Sequence, residues 1–274
     1  MASPAAWGIL FLLFASCTGI KIQFDKVWQK LKTGLSFPVA LNMAPKSVDD
    51  MYNGCESEME RLINVKYLPR EQKNKNFLDA WVAAGRYYNS KSWPTSLLKK
   101  PQIMAVYAYT LDQPPLYKEF NEAVRAQRAK YKTGFHYHTL HFYLTMALRS
   151  LKNSARKCVT SYRRTGSKFK KNVLNKEIRF SAFTSSSAGG YSDKAFGTES
   201  CFEIYTCFGA DISRFSKFEH EREVLIPPYE VFKVKEIKQG STKTLPCKVV
   251  YRLQSTKKTL SKLNCALSSH LHGY

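Results

Sequence analysis

Cys158-Val159-Thr160-Ser161-Tyr162-Arg163 marks a change of texture in this 274-residue chain. Its β-branched and aromatic residues alternate with a period of two, as a strand with one buried face requires. The same texture recurs downstream at 179–184, 201–208, 223–226, 229–237 and 248–253, punctuated by Gly189-Gly190, Gly197, Gly209 and Pro227-Pro228. Upstream the period is helical. Phe77, Trp81, Ala84 and Tyr88 share one helix face, Leu116, Phe120 and Val124 a second, and Leu140, Leu144, Ala147, Leu148 and Leu151 a third. Ser47 with Asp50 reads as a capping-box-like helix start. Helices first and strands after predict an α+β fold, helical over 41–155 and mainly β over 156–265.

The ends and the cysteines set the compartment. The first twenty residues carry no charged side chain and hold Trp7-Gly8-Ile9-Leu10-Phe11-Leu12-Leu13-Phe14-Ala15 before small residues, the pattern of a secretory signal peptide spanning 1–20. The remainder, 21–274, is expected to form one domain. No later segment has the ~20 apolar residues that cross a bilayer. Lys257, Lys258, Lys262 and the polar 268–274 lack the hydrophobic tail of a lipid-anchor signal, so free secretion is expected. Of seven cysteines, Cys17 lies in the leader. Six in an oxidising compartment imply three disulfides in any of fifteen pairings. No Asn-x-Ser/Thr sequon occurs.

Lysine and arginine number 43 against 21 acidic residues, a net charge of +22. That field favours acidic partners such as proteoglycan or nucleic acid through non-specific charge. No zinc-finger, RNA-binding or basic-zipper pattern accompanies it, so specific nucleic-acid recognition is not expected. His136, His138 and His141 cluster, but no carboxylate or thiol falls at ligand spacing, and no metal is expected.

Glu221-Arg222-Glu223 precedes Val224-Leu225-Ile226-Pro227-Pro228. In an extended segment Glu221 and Glu223 would share a face with Arg222 pointing away. Two carboxylates so placed can divide labour, one facing a developing cation and one a nucleophile's proton. Upstream stand Arg163 and the hydroxyl-rich Arg179-Phe180-Ser181-Ala182-Phe183-Thr184-Ser185-Ser186-Ser187. Arginine, serine and Glu-x-Glu in this order resemble the vertebrate arginine-specific ecto-ADP-ribosyltransferases. The resemblance extends over Leu41-Asn42-Met43-Ala44, Ser47 to Cys55, Ala108-Tyr109-Thr110, Leu116 to Arg125, His141 to Leu148 and Thr206 to Phe232.

The resemblance implies a helical region packed on two crossed antiparallel sheets, with NAD as co-substrate in the cleft between them. The implied reaction moves ADP-ribose from NAD to an arginine guanidino group on a target protein. Glu223 would stabilise the oxocarbenium-like centre and hold the ribose 2′-hydroxyl; Glu221 would orient the incoming guanidinium and take its proton. Arg163 would contact the phosphate–ribose part of NAD, and Ser185 would orient Glu223. Phe196 would stack on nicotinamide, and Tyr109, Ser181 and Ser216 are further expected NAD contacts. The loop from 211 to 221 would meet the target protein, with Phe215 and Phe218 as exposed contacts. The resemblance also implies Cys55 with Cys265 and Cys158 with Cys207, which leaves Cys201 with Cys247.

One departure stands out. Arg164 occupies the place after the catalytic arginine where such proteins usually have glycine, so either its side chain points away from the cofactor or the pocket is altered. Between Arg163 and Arg164, alternation from Tyr162 and the family's Tyr-Arg pair favour Arg163. Two rival functions remain open at this point: an NAD glycohydrolase, and a catalytically silent basic binding protein. An oligomer is not expected.

Overall fold

The computed structural model describes residues 37–93, 97–155 and 157–268. The expected leader and the last six residues lie outside the described residues. Contacts divide the chain into a leading unit, Met1–Val39, and the unit Ala40–Tyr274. All elements named below belong to the second.

Among the described residues six helices come first. α1 (Glu56–Leu62) passes through a π-helical turn, Ile63–Tyr67, into α2 (Leu68–Glu71). Then follow α3 (Lys75–Asn89), α4 (Lys100–Thr110), α5 (Leu116–Ala126) and α6 (His138–Ala155). The expected stripes are buried, with Phe77, Trp81 and Ala84 on α3, Leu116, Phe120 and Val124 on α5, and Leu140 to Leu151 on α6, while Tyr88 at the end of the first stripe is only half-buried. Asn74 starts α3, its side chain accepting from Phe77 N at 3.0 Å. Glu71 starts α6 from a distance in sequence. Its carboxylate takes His138 N at 2.7 Å and Thr139 N at 3.0 Å, the place where a helix favours negative charge.

Ser47 and Asp50 begin no helix. Ser47 Oγ donates to Ser181 O at 2.9 Å, and Asp50 accepts from Tyr52 N, Tyr131 OH and Cys265 N. Long-range partners outcompete the local cap. His138 and His141 are buried and their pKa values are pushed down by burial, that of His141 to about 4. The Nδ1 of His141 lies 2.7 Å from Tyr52 OH.

Among the described residues eight strands follow: β1 (Val159–Thr165), β2 (Glu177–Ile178), β3 (Thr184–Ser187), β4 (Ser200–Thr206), β5 (Ala210–Asp211), β6 (Glu223–Ile226), β7 (Glu230–Gln239) and β8 (Val249–Thr259). Their ladder is continuous in the order β2-β7-β8-β4-β1-β3-β6-β5. All pairs are antiparallel except β4 with β8. Helices precede strands as expected, and the two crossed antiparallel sheets that the resemblance implied are hydrogen-bonded into one continuous mixed sheet. One core packs the helices with Ala182, Phe183, Ile212 and Leu225; a second joins Phe202, Ile204, Phe232, Val234, Tyr251 and Leu253.

The expected strand at 179–184 is displaced to 184–187. Residues 179–181 use their polar groups elsewhere: Arg179 N donates to Asn42 O, and Ser181 O accepts from Ser47. The fully buried Arg179 side chain donates to Met43 O, Ala44 O, Pro228 O and Leu260 O and lies 3.0 Å from Asp49. One guanidinium thus fastens four separate segments. The described residues hold three disulfides. Cys55–Cys265 joins the start of α1 to the chain after β8, Cys158–Cys207 joins the ends of β1 and β4, and Cys201–Cys247 joins β4 to the turn before β8.

Candidate active site

Strands β1, β3 and β6 are neighbours in the sheet although far apart in the chain. Each contributes a polar residue to one cavity of about 770 Å³, within the range of roughly 300–1,000 Å³ that holds small-molecule ligands. Arg163 comes from β1, Ser185 from β3 and Glu223 from β6. The Arg163 Nη1 donates to Ser185 O at 2.7 Å, locking the first two together. On the opposite face Ser186 Oγ lies 2.8 Å from Ser161 Oγ and 2.9 Å from Val224 O, so all three strands are pinned behind the cavity as well.

Arg164 points the other way. It is 7 % exposed, donates to Pro246 O at 3.2 Å and lies 5.9 Å from the Tyr191 ring centroid. Strand alternation therefore settles which arginine faces the cavity, and the bulk in place of glycine falls outside it.

Glu223 is 7 % exposed, and burial pushes its pKa up to about 7. A hydrogen bond from Ser185 works against that rise, and the nearby Glu221 charge adds to it. Arg163 is pushed down by burial. Glu221 reaches the same cavity by a different route from the expected extended one. It ends a 3₁₀ turn, Glu219–Glu221, and Arg222 adopts the left-handed conformation at φ 51° before β6 begins. The kink leaves Glu221 exposed at the cavity mouth and Glu223 buried within it. Ser187 Oγ donates to Glu221 O at 2.9 Å and supports the turn from β3.

Tyr109 and Phe196 also line the cavity. Tyr109 is buried at the end of α4, receives Asn121 Nδ2 at 3.0 Å, and burial pushes its pKa up to about 12. Phe196 is 62 % exposed and stands on a short 3₁₀ turn started by Asp193. Gly197 follows at φ 111°, and a Cβ there would meet Gly166 N at 2.0 Å. Only glycine lets this turn close against the end of β1.

Ser181 and Ser216 do not line the cavity. Ser181 Oγ accepts from Arg125 Nε at 3.2 Å, and buried Ser216 accepts from Phe218 N at 3.0 Å. Phe215, expected to be exposed, is buried and stacked on Trp93 at 5.7 Å. Phe218 does face the cavity. Sequence reasoning missed Lys118, Asn121 and Arg125, which line its α5 wall. Their spacing of three and four was the available signal: a polar stripe on the face opposite Leu116, Phe120 and Val124. Among the described residues no group of histidine, cysteine and carboxylates is placed to hold a metal ion.

Residues 41–261 match the family model described as "NAD:arginine ADP-ribosyltransferase". The chain is 34 % identical over 249 residues to GPI-linked NAD(P)(+)--arginine ADP-ribosyltransferase 1 of Mus musculus, covering 85 % of this chain and 76 % of that protein. It is 36 % identical over 239 residues to ecto-ADP-ribosyltransferase 5 of Homo sapiens, covering 82 % and 80 %. Among solved structures, a mutant of the eucaryotic mono-ADP-ribosyltransferase ART2.2 in complex with NADH superposes with a TM-score of 0.65 at 31 % identity, over 83 % of this chain and 99 % of that one. A second ART2.2 mutant, in complex with NAD, gives 0.63 at 30 % identity over the same shares. The family model over most of the chain, together with these identities, places the chain in the NAD:arginine ADP-ribosyltransferase family.

Proposed function

We propose that this protein is a secreted mono-ADP-ribosyltransferase that transfers ADP-ribose from NAD to the guanidino group of protein arginine, releasing nicotinamide. The observation that carries the reading is the meeting of Arg163, Ser185, Glu221 and Glu223 in one cavity, with Glu223 buried and Glu221 at its mouth. The reaction breaks the bond between the ribose anomeric carbon and nicotinamide and forms one to a guanidino nitrogen. Positive charge develops at that carbon, and Glu223 opposes it where little water competes. Glu221 receives the guanidinium, which arrives protonated, and takes its proton as the new bond forms. Arg163, with Arg125 and Lys118 across the cleft, supplies positive charge for the diphosphate. Tyr109 shapes the wall, and Phe196 offers a ring for nicotinamide. Three disulfides suit an oxidising compartment, and relatives are named as ecto-enzymes. The net charge of +22 favours retention on acidic proteoglycan or nucleic acid by charge alone.

The test is labelled NAD with a small guanidino acceptor. Stable acceptor labelling is expected; nicotinamide release without labelling would make the protein a glycohydrolase. Glu221→Gln is expected to depress labelling by about tenfold or more while nicotinamide release changes little, since a proton acceptor in the transition state contributes roughly 10²–10⁴-fold. Equal losses in both would remove Glu221 from acceptor chemistry.

The Glu223 pKa near 7 predicts a pH profile. Carboxylate is the working form, so kcat/KM for NAD should rise with pH through about 7. Ser185→Ala removes the hydrogen bond that favours the anion and should move this limb to higher pH. Glu221→Gln removes a like charge and should move it to lower pH. Limbs that coincide in all three proteins would mean another group titrates.

A further inference from the structure

The loop between β5 and β6 carries Glu221 but pairs with neither strand ladder through most of its length. It consists of two 3₁₀ turns, Ser213–Phe215 and Glu219–Glu221. Its shape is therefore set by what it touches, and it touches the helices. The first half has three anchors: Tyr87 OH donates to Arg214 O at 3.3 Å, Phe215 stacks on Trp93, and Lys217 N donates to Thr110 Oγ1 at 2.9 Å. The second turn is held at its start by an ion pair between Lys91 and Glu219 and at its end by Ser187.

Lys91 is itself braced. Its Nζ donates to Tyr87 OH at 3.2 Å and lies 4.6 Å from the centroid of that ring, which stacks on Tyr107 at 3.9 Å. The ammonium thus reads a fixed position on α3 and α4 and transmits it to Glu219. Glu219 and Glu221 are the first and last residues of one 3₁₀ turn. At three residues per turn, side chains two apart point about 240° from each other. Drawing Glu219 outward to Lys91 turns Glu221 toward the cleft. Glu223 lies within the β6 ladder and does not depend on this contact.

We propose that Lys91, braced by Tyr87, is a positioning residue for the arginine acceptor: by holding Glu219 it orients Glu221 and sets the partition between transfer to guanidino groups and transfer to water. The inference rests on the transferase reading given above. Its size follows from exposure. Lys91 and Glu219 side chains are 40 % and 54 % exposed, and pairs of that kind shift an equilibrium by about two- to fivefold. Salt screens them.

The experiment measures acceptor labelling and nicotinamide release together, with labelled NAD and agmatine, in wild type, Lys91→Met, Glu219→Gln, Lys91→Arg and the swapped pair Lys91→Glu with Glu219→Lys. Lys91→Met and Glu219→Gln should raise the agmatine KM and lower the labelling-to-release ratio by about two- to fivefold, with total release at the wild-type level. Lys91→Arg and the swapped pair should restore the ratio. Raising ionic strength should lower the ratio in wild type and leave it flat in Lys91→Met. An unchanged ratio in Lys91→Met, or a loss of release in parallel with labelling that the swap does not restore, overturns the positioning role alone. A wild type that releases nicotinamide and labels no agmatine overturns the transferase reading, and this inference with it.

Discussion

Glu223→Gln is expected to lose about 10²–10³-fold in nicotinamide release and in arginine labelling alike, while becoming more stable above neutral pH. The amide keeps the volume of the side chain and removes the charge that opposes the developing cation. The stability gain has the same origin. Burial raises the Glu223 pKa from 4.5 to about 7. Because the folded-state pKa lies above the unfolded one, the group favours the fold fully below pH 4.5 and loses that contribution as pH rises through 7. The difference of about 2.5 units corresponds to up to about 3 kcal/mol at pH 8. Glutamine does not ionise and escapes the penalty. Urea unfolding of both proteins at pH 4 and pH 8 checks it: a gap at pH 8 that closes at pH 4 is expected. Equal midpoints at both values, or retained NAD cleavage, would break the link between burial and catalysis. The site costs the fold stability, as active-site carboxylates held in apolar walls generally do.

Arg179→Met should destabilise the protein by about 3–5 kcal/mol with no direct effect on the cavity. Both Asp49 and Arg179 side chains are wholly buried, and Asp49 Oδ1 also accepts from Lys262 N at 3.0 Å and Leu263 N at 3.1 Å. Removing the guanidinium leaves a buried carboxylate without its counter-charge and takes a donor from four backbone carbonyls, of which Ala44 O keeps Ser47 N. Arg252→Met is the contrast. Its partners Glu203 and Glu236 lie at the surface, and a loss of at most about 1 kcal/mol is expected. If Arg179→Met does not fold, the double change with Asp49→Asn still decides the matter, since it should recover much of the loss. A denaturant midpoint for Arg179→Met within the range of Arg252→Met would end the claim.

What the sequence made legible follows from range. The helix stripes on α3, α5 and α6 were readable because burial on one side leaves a 3.6-residue period in the chain itself. α4 leaves none: Ile103, Met104, Ala105, Val106, Ala108 and Tyr109 are all buried, so the helix is apolar around its circumference. The strand at 179–184 and the cap at Ser47 misled for one reason. Arg179, Ser181, Ser47 and Asp50 each find partners more than eighty residues away, and local pattern carries no trace of such partners. Among site residues, Arg163 over Arg164 was legible through alternation. The kink at Arg222 was not, because nothing in Glu-Arg-Glu announces a left-handed residue. Phe215 and Phe218 look alike in sequence, and only the packing of Trp93 separates the buried one from the one facing the cavity.

Two of the disulfides have a consequence for a protein meeting trypsin-like proteases. Lys168, Lys170, Lys171 and Lys176 are exposed in the segment between β1 and β2. A cut there would separate Cys55 and Cys158 on one fragment from Cys207 and Cys265 on the other. Cys55–Cys265 and Cys158–Cys207 both bridge that cut. A nicked molecule therefore stays one covalent body, with Arg163 on one fragment and Ser185, Glu221 and Glu223 on the other still clamped across the same cavity.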